Sequence, residues 1–379
     1  MTKRILLYYP PNKRSVAIET LCRAVKDAGH ELIVLTLTEK DSFHQQMEKM
    51  GFATFTTVMD RKPSWKYFLN QARYLIRFCK EHKIDFVWSH LQEANIIAVM
   101  SQQFMKAKVV TFRHHAESAF YAEYGQQFGM QRNKNEARFD KIINRLAKKI
   151  VVPSSGVWYG MEKYEGCDMR KVKLLPYIYD FTTYQQPDPE KVKLLKDNNP
   201  CQLRLIMVSR MVPTKQHMPV FQLVKKLVAE GLSIKMIVMD DGPLKPELET
   251  FIRENKLTAV IDMVGFRNDF INFMAAADLL IHPSLTEASN NVVKELALLE
   301  KGVAVCKDVG DFNDYIRDGQ NGFMIDRGNL VSSLEGIIRT AYAGKERLEA
   351  MGKELKKDVL DKFSNAEKNR KRFIDLIEN

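Results

Sequence analysis

The chain of 379 residues carries 58 Lys and Arg against 47 Asp and Glu, a formal net charge of +11. With 45% hydrophobic and 28% charged residues, and only 18 Gly and 13 Pro, it is neither disordered nor collagen-like nor of low complexity. The length exceeds one ordinary domain and predicts two.

In chain order, short apolar runs alternate with amphipathic stretches. Lys3–Pro10 reads as a first strand, its apolar run too short for a signal-peptide core. Val16–Ala28 follows as a helix ending at Gly29-His30, and Glu31–Leu37 as a buried strand by its Leu and β-branched content. Trp65–Lys83 has helical periodicity, and Ile84–Ser89, Lys108–Phe112 and Lys149–Pro153 read as further strands. Tyr184–Cys201, with three prolines and Asn198-Asn199, breaks the pattern and reads as a link between domains. The alternation restarts at Leu203–Ser209 and runs through Ser233–Asp240, Ala259–Val264, Asp278–Pro283 and Val303–Lys307 before the chain ends in helices. Such alternation implies βαβ units, hence α/β domains with parallel sheets covered on both faces. Two successive doubly wound domains predict a ligand cleft between them, at the C-terminal strand ends.

The charge is placed unevenly. Residues 1–150 hold 25 Lys and Arg against 14 Asp and Glu, whereas residues 151–379 hold 33 of each sign. The excess includes Arg61, Lys62, Lys66, Arg73, Arg77, Lys80 and Lys83, then Arg138, Lys141, Arg145, Lys148 and Lys149. Single surface cations are usually just solvated, but the asymmetry favours an anionic partner, either phosphates or acidic lipid headgroups. No nucleic-acid recognition motif accompanies the charge, so nucleic acid is not expected. The five cysteines, Cys22, Cys79, Cys167, Cys201 and Cys306, are scattered and form no CxxC, which points to a reducing cytoplasm rather than a disulfide or zinc scaffold. No stretch reaches the ~18 apolar residues of a membrane-spanning helix.

Chemistry-bearing residues concentrate in the second half. The strand Leu203–Ser209 runs into Arg210-Met211-Val212-Pro213-Thr214-Lys215, where Arg210 and Lys215 can aim two cations at one phosphate or diphosphate. The strand ending at His282-Pro283-Ser284 leads to a helix that Ser289 or Asn290 would cap, running to about Leu299. Amides near Asn290, Asn291 and Val292 would then be open to a phosphate. Glu287 sits in the loop before that helix and Glu295 on it, where carboxylates can accept hydrogen bonds from sugar and ribose hydroxyls.

From Leu203 to about Asp326 the sequence resembles the nucleotide-sugar half of the retaining, GT-B-fold glycosyltransferases of family 4. The family's Arg and Lys after the first strand of the second domain are matched by Arg210 and Lys215, and its two spaced glutamates by Glu287 and Glu295. Asp241-Gly242-Pro243, Val264-Gly265-Phe266, Ala277-Asp278, Pro283-Ser284, Gly310 and Asp318–Phe323 follow in the family's order. The resemblance implies a GT-B architecture of two Rossmann-like domains facing a central cleft. Residues 1–185 would bind the acceptor, residues 200–360 the nucleotide sugar, and residues 361–379 would form a helix packing back on the N-terminal domain. It further implies Arg210 and Lys215 on the donor diphosphate with Asn290, Asn291 and Val292, Glu295 on the ribose, Glu287 on the donor sugar, and a histidine of the N-terminal domain, His114 or His115, beside it. His90 is a second candidate for the cleft, and His282, beside Pro283, reads as structural.

The same resemblance implies a retaining transfer from a nucleotide-diphosphate sugar, a UDP-sugar first among them, with no metal and no other cofactor. The acceptor would be a glycan or lipid-linked glycan in bacterial cell-surface synthesis. The expected location is the cytoplasm, with peripheral contact to an anionic inner plasma-membrane face through the basic domain. Two other readings stand beside it: a catalytically inactive partner of the same fold, and a nucleotide-sugar epimerase. This chain also departs from the family pattern. Pro10–Ser15 replaces a Gly-Gly turn, so that Lys13 or Arg14 would have to meet an anion there; Gln216 stands where a glycine is usual; and Tyr177–Asp180 replaces Asn-Gly-Ile-Asp.

Overall fold

The structure, a computed structural model, describes residues 1–11, 13–59 and 64–378. Arg61 and Lys62 of the basic excess lie outside the described residues. The chain divides into two compact units, Met1–Thr182 together with Phe363–Asn379, and Thr183–Lys362.

The first unit holds a seven-stranded sheet of β1 (Arg4–Tyr9), β2 (Glu31–Thr36), β3 (Ala53–Thr56), β4 (Phe86–His90), β5 (Lys108–Phe112), β6 (Ile150–Val152) and β7 (Val172–Leu174). The spatial order is β3-β2-β1-β4-β5-β6-β7, and the paired strands are parallel. β1 takes the centre because its RILLYY sequence is apolar on both faces; Ile5, Leu6, Leu7 and Tyr8 are wholly buried. Its core also receives Phe373, Ile374, Leu376 and Ile377 from the helix Glu367–Glu378, which packs with Leu21, Val25 and Trp88. Each such fully buried Leu, Ile or Phe stabilises the unit by about 1.5–3 kcal/mol.

The second unit repeats the plan with six strands, β8 (Leu203–Val208), β9 (Ile234–Met239), β10 (Ile261–Gly265), β11 (Leu279–His282), β12 (Gly302–Cys306) and β13 (Phe323–Ile325). Their order is β10-β9-β8-β11-β12-β13, again parallel. Both units are therefore Rossmann-like, and in each the strand order reverses beside the first strand, between β1 and β4 and between β8 and β11.

One local feature differs from the sequence reading. The stretch read as a link holds a nine-residue helix, Pro189–Asp197, because Asp188 accepts hydrogen bonds from the amides of Glu190 and Lys191 and Pro189 sits at the first helical position. The segment after β5 continues into a helix over Glu117–Tyr124. Among the described residues, no helix is long and apolar enough to cross a membrane.

Candidate functional site

In the second unit the loops leaving β8 and β11 meet at the reversal of strand order, where crevices form in doubly wound sheets. The β8 loop is fixed by Met211, whose amide donates to the Asp241 carbonyl at 3.0 Å and whose carbonyl accepts from the Leu244 amide at 3.1 Å. Gly242 permits that approach, since a Cβ there would lie 2.6 Å from the Met211 carbonyl oxygen. Arg210, just before, is exposed, and no acceptor among the described residues engages its guanidinium. After the short turn Pro213–Lys215, Gln216 adopts the left-handed conformation at φ 54°, which costs a non-glycine residue about 1–2 kcal/mol. Its side-chain amide donates to the Pro283 carbonyl at 2.7 Å, and the Leu285 amide donates to Thr214, tying the β8 and β11 loops together.

That tie brings Lys215 to Glu287. The Lys215 Nζ donates to Glu287 Oε1 at 2.5 Å and to Ser284 Oγ at 2.9 Å, leaving a third N–H for a ligand. His282, buried at the end of β11, donates from Nε2 to the same Oε1 at 2.8 Å. Both recorded donors converge on Oε1, and no donor among the described residues reaches Oε2. Burial opposes ionisation of Glu287, but the His282 hydrogen bond and charge together with Lys215 overcome it and hold the carboxyl well below the usual range. Glu287 is thus a carboxylate at neutral pH, an acceptor with one oxygen to offer.

The next helix, Asn291–Leu298, is capped by Asn290, whose Oδ1 accepts from the Val293 amide at 3.0 Å. Of the two candidate caps, Ser289 instead donates to Asp311 Oδ2 at 2.6 Å. The amides of Asn291 and Val292 have no acceptor among the described residues, so they and the helix dipole present positive potential. Sequence reasoning missed what pins this helix start. Lys294, fully buried, spends its three N–H groups on Asp311 at 2.7 Å, Ser289 Oγ at 3.0 Å and the Asn290 carbonyl at 3.0 Å. Glu295 lies one residue on and half-buried, where burial pushes its carboxyl up to about 7 and Lys294 pulls it only partly back. Nearby Tyr184 is raised by its own burial and by the Glu295 charge.

The first unit holds His90, His114 and His115. His114 follows β5, and its Nε2 lies 3.1 Å from Nδ1 of His90, the last residue of β4, while its own Nδ1 contacts the Tyr177 hydroxyl. Both ring nitrogens of His114 are therefore occupied within the protein. His115 is exposed and lines the same polar cavity as His114. His90 stacks flat on Phe112 at 4.2 Å, and its buried Nε2 has no hydrogen-bond partner among the described residues. Burial, and for His114 the charge of His115, keep both imidazoles neutral, His114 down to about 3. Lys13 and Arg14 are each taken by a carboxylate, Asp41 at 2.6 Å and Glu19 at 2.8 Å. Beneath His114, Arg113 is buried against Asp140 and Glu165, each at 3.2 Å.

The positions of Glu287 and His282 five residues apart, and of His90 and His114 at the ends of neighbouring strands, are products of the fold. A signal was available for the first pair alone, in the His-Pro-Ser strand end followed so closely by a glutamate.

Comparison with known proteins completes the picture. Residues 15–181 match the family model described as Glycosyltransferase Family 4, and residues 190–358 the model described as Glycosyl transferases group 1. The UDP-Gal:alpha-D-GlcNAc-diphosphoundecaprenol alpha-1,3-galactosyltransferase of Escherichia coli is 23% identical, over 80% of this chain and 79% of that protein. The N-acetylgalactosamine-N,N'-diacetylbacillosaminyl-diphospho-undecaprenol 4-alpha-N-acetylgalactosaminyltransferase of Campylobacter jejuni is also 23% identical, over 72% and 74%. Among solved structures, HepE of Anabaena in complex with UDP superposes with a TM-score of 0.80 at 18% identity, covering 99% of both chains. The fold is that of the GT-B glycosyltransferases, and with both halves matched the chain belongs to the family 4-like glycosyltransferases.

Proposed function

We propose that the chain moves a sugar from a nucleotide-diphosphate sugar, a UDP-sugar first among them, to a hydroxyl of a glycan or lipid-linked glycan, with retention of anomeric configuration and without a metal or other cofactor. The observation that carries this reading is the meeting of Lys215 and His282 on Glu287, at the start of the helix whose first amides are those of Asn291 and Val292. Arg210 leaves the same β8 strand five residues before Lys215. The uncommitted guanidinium, the third Lys215 proton and the helix-start amides supply positive charge for a departing diphosphate, an electrostatic role that grows as the bond to the sugar breaks.

Glu287, held ionised, cannot protonate the leaving phosphate; its Oε2 accepts a hydrogen bond from a donor-sugar hydroxyl. Glu295 accepts from the ribose hydroxyls. The histidine role toward the sugar goes to His114 or His115. Attack by the acceptor hydroxyl on the face the nucleotide leaves, with the bond from the sugar to the diphosphate breaking and the hydroxyl's proton passing to the departing diphosphate oxygen, gives retention with no covalent nucleophile. The diphosphoundecaprenol in the names of two relatives and the UDP bound in HepE are consistent with this choice of donor and acceptor class. The location that goes with it is the cytoplasm, with contact to the inner plasma-membrane face.

A thermal-shift series with UDP, GDP, ADP, CMP and their sugars tests the donor half. One nucleoside diphosphate is expected to stabilise the protein by about 2.7 kcal/mol at a hundredfold excess over its Kd. The shift is expected to vanish in Arg210→Ala. No shift with any nucleotide would sink the reading.

A further inference from the structure

The helix Lys134–Leu146 borders two cavities of opposite character. Glu136 and Asp140 line a polar cavity of about 210 Å³ together with Gln92, His115 and Arg132. Phe139 and Ile142 line instead an open groove of about 430 Å³, completed by Trp65 and Phe68 of the helix Trp65–Glu81. The groove floor is aromatic: Phe68 and Phe139 pack edge to face at 5.1 Å, and Trp65 meets Phe68 at 6.4 Å. Trp65 is nevertheless 59% exposed, a large indole left in water at the mouth of an apolar trough. Arg138 and Lys141 line the same groove, both exposed, and no carboxylate among the described residues pairs with either.

Charge decides what fits each side. Unpaired cations over an apolar floor suit a ligand that is hydrocarbon along its length and phosphorylated at its head. The polar cavity carries both signs: Arg113 and Arg132 pair with Asp140 there, while Glu117 and Glu136 line it without an ion-pair partner among the described residues. It has no apolar floor for a hydrocarbon and offers both acceptors and donors to hydroxyls. At its edge Leu91 sits at φ 67°, a left-handed conformation that a leucine rarely adopts and that collects at functional sites.

We propose that the groove holds the phosphate-bearing hydrocarbon end of the acceptor, with Trp65, Phe68, Phe139 and Ile142 on the chain and Arg138 and Lys141 on the phosphate. The polar cavity across the helix takes the acceptor's sugar. This rests on the lipid-linked acceptor of the reading above.

Trp65 is its own reporter, because Trp88 is wholly buried and Trp158 half-buried. Titration with farnesyl phosphate is expected to give a saturable blue shift of tryptophan emission that is absent in Trp65→Phe. Inorganic phosphate is expected to give none, and farnesol to bind more weakly. The double variant Arg138→Glu, Lys141→Glu is expected to raise the Kd about tenfold or more while its unliganded melting stays put. Three results would overturn the proposal: no shift with farnesyl phosphate, equal affinity in the double variant, or a shift with equimolar phosphatidylglycerol and phosphatidylcholine vesicles alone, which would make the face a membrane dock. The UDP-induced thermal shift, measured on the same proteins, reports the donor site by itself, so failure of the groove and failure of the donor reading are told apart.

Discussion

Lys215 and Glu287 stand 72 residues apart in sequence and 2.5 Å apart in the fold, and His282 shares the same carboxylate oxygen. One carboxylate thereby neutralises the lysine and keeps it oriented, while its second oxygen has no donor among the described residues. Replacing Glu287 by Gln should preserve shape but remove the charge that both neighbours lean on. We expect turnover, followed as UDP release, to fall by about 10²–10³, with a smaller change in donor KM. Unchanged kcat would remove Glu287 from the chemistry.

Arg210 gives the complementary case. Because no protein group holds its side chain, Arg210→Ala should leave the melting temperature of the free protein within the range of ordinary surface changes, about 0.5 kcal/mol. The stabilisation by UDP should be lost. A variant that melts early without ligand would show that the arginine has a structural task instead.

Glu295 predicts a pH dependence. Its carboxyl is raised to about 7 in the folded chain from an ordinary value of 4.5, so the folded state holds a proton that the unfolded state has lost between those pH values. Stability contributed by this group is therefore full below pH 4.5, declines as pH rises toward 7, and stays reduced above it. Glu295→Gln should raise the melting temperature at pH 8, by up to about 3 kcal/mol of stability, and leave it unchanged at pH 4. Nucleotide affinity should fall in the same variant. Equal melting curves at both pH values would show that the carboxyl is not perturbed.

The buried pair of Lys294 and Asp311 should be the most sensitive structural point of the site. Lys294→Met leaves a carboxylate buried without its cation, and a loss of about 3–5 kcal/mol is expected in chemical denaturation. Adding Asp311→Asn should recover part of it. A loss no larger in the single than in the double variant would count against a coupled pair.

Gly310 sets the Glu287 loop. Its φ is 55°, and a Cβ there would lie 2.9 Å from the Glu287 Cβ and 3.2 Å from the Ala288 carbonyl oxygen. Gly310→Ala should lower both stability, by about 1 kcal/mol or more, and turnover, because the only relief is to move Glu287. Kinetics and melting measured on one preparation would check it; wild-type turnover would mean that the loop yields elsewhere.

Much of this arrangement was legible beforehand. The alternation of apolar runs placed the longer strands, and Arg210, Lys215, Glu287 and Glu295 are singled out by the resemblance to family 4. Three short strands escape the pattern: β3 reads Ala-Thr-Phe-Thr with half-exposed edges, and β7 and β13 have three residues each, too few for a period to show, whereas the equally short β6 is marked by its unbroken apolar run. The helix Pro189–Asp197 was hidden by its own start signal, since Asp-Pro is equally a turn. His282 looked structural because its partner is visible only once the β11 loop turns back. The relation of His90 to His114 depends on β4 and β5 pairing in register, with His90 opposite Phe112, and register is not carried by composition.

The last helix carries a consequence for synthesis. Phe373, Ile374, Leu376 and Ile377 belong to the same core as the residues of β1 and β2, yet they leave the ribosome more than three hundred residues later. Domains usually complete themselves in the order they are made. Here the second unit, continuous from Thr183 to Lys362, has all its residues in hand before the first can close. The amino-terminal sheet must wait, with part of its apolar face uncovered, for the helix Glu367–Glu378 to arrive.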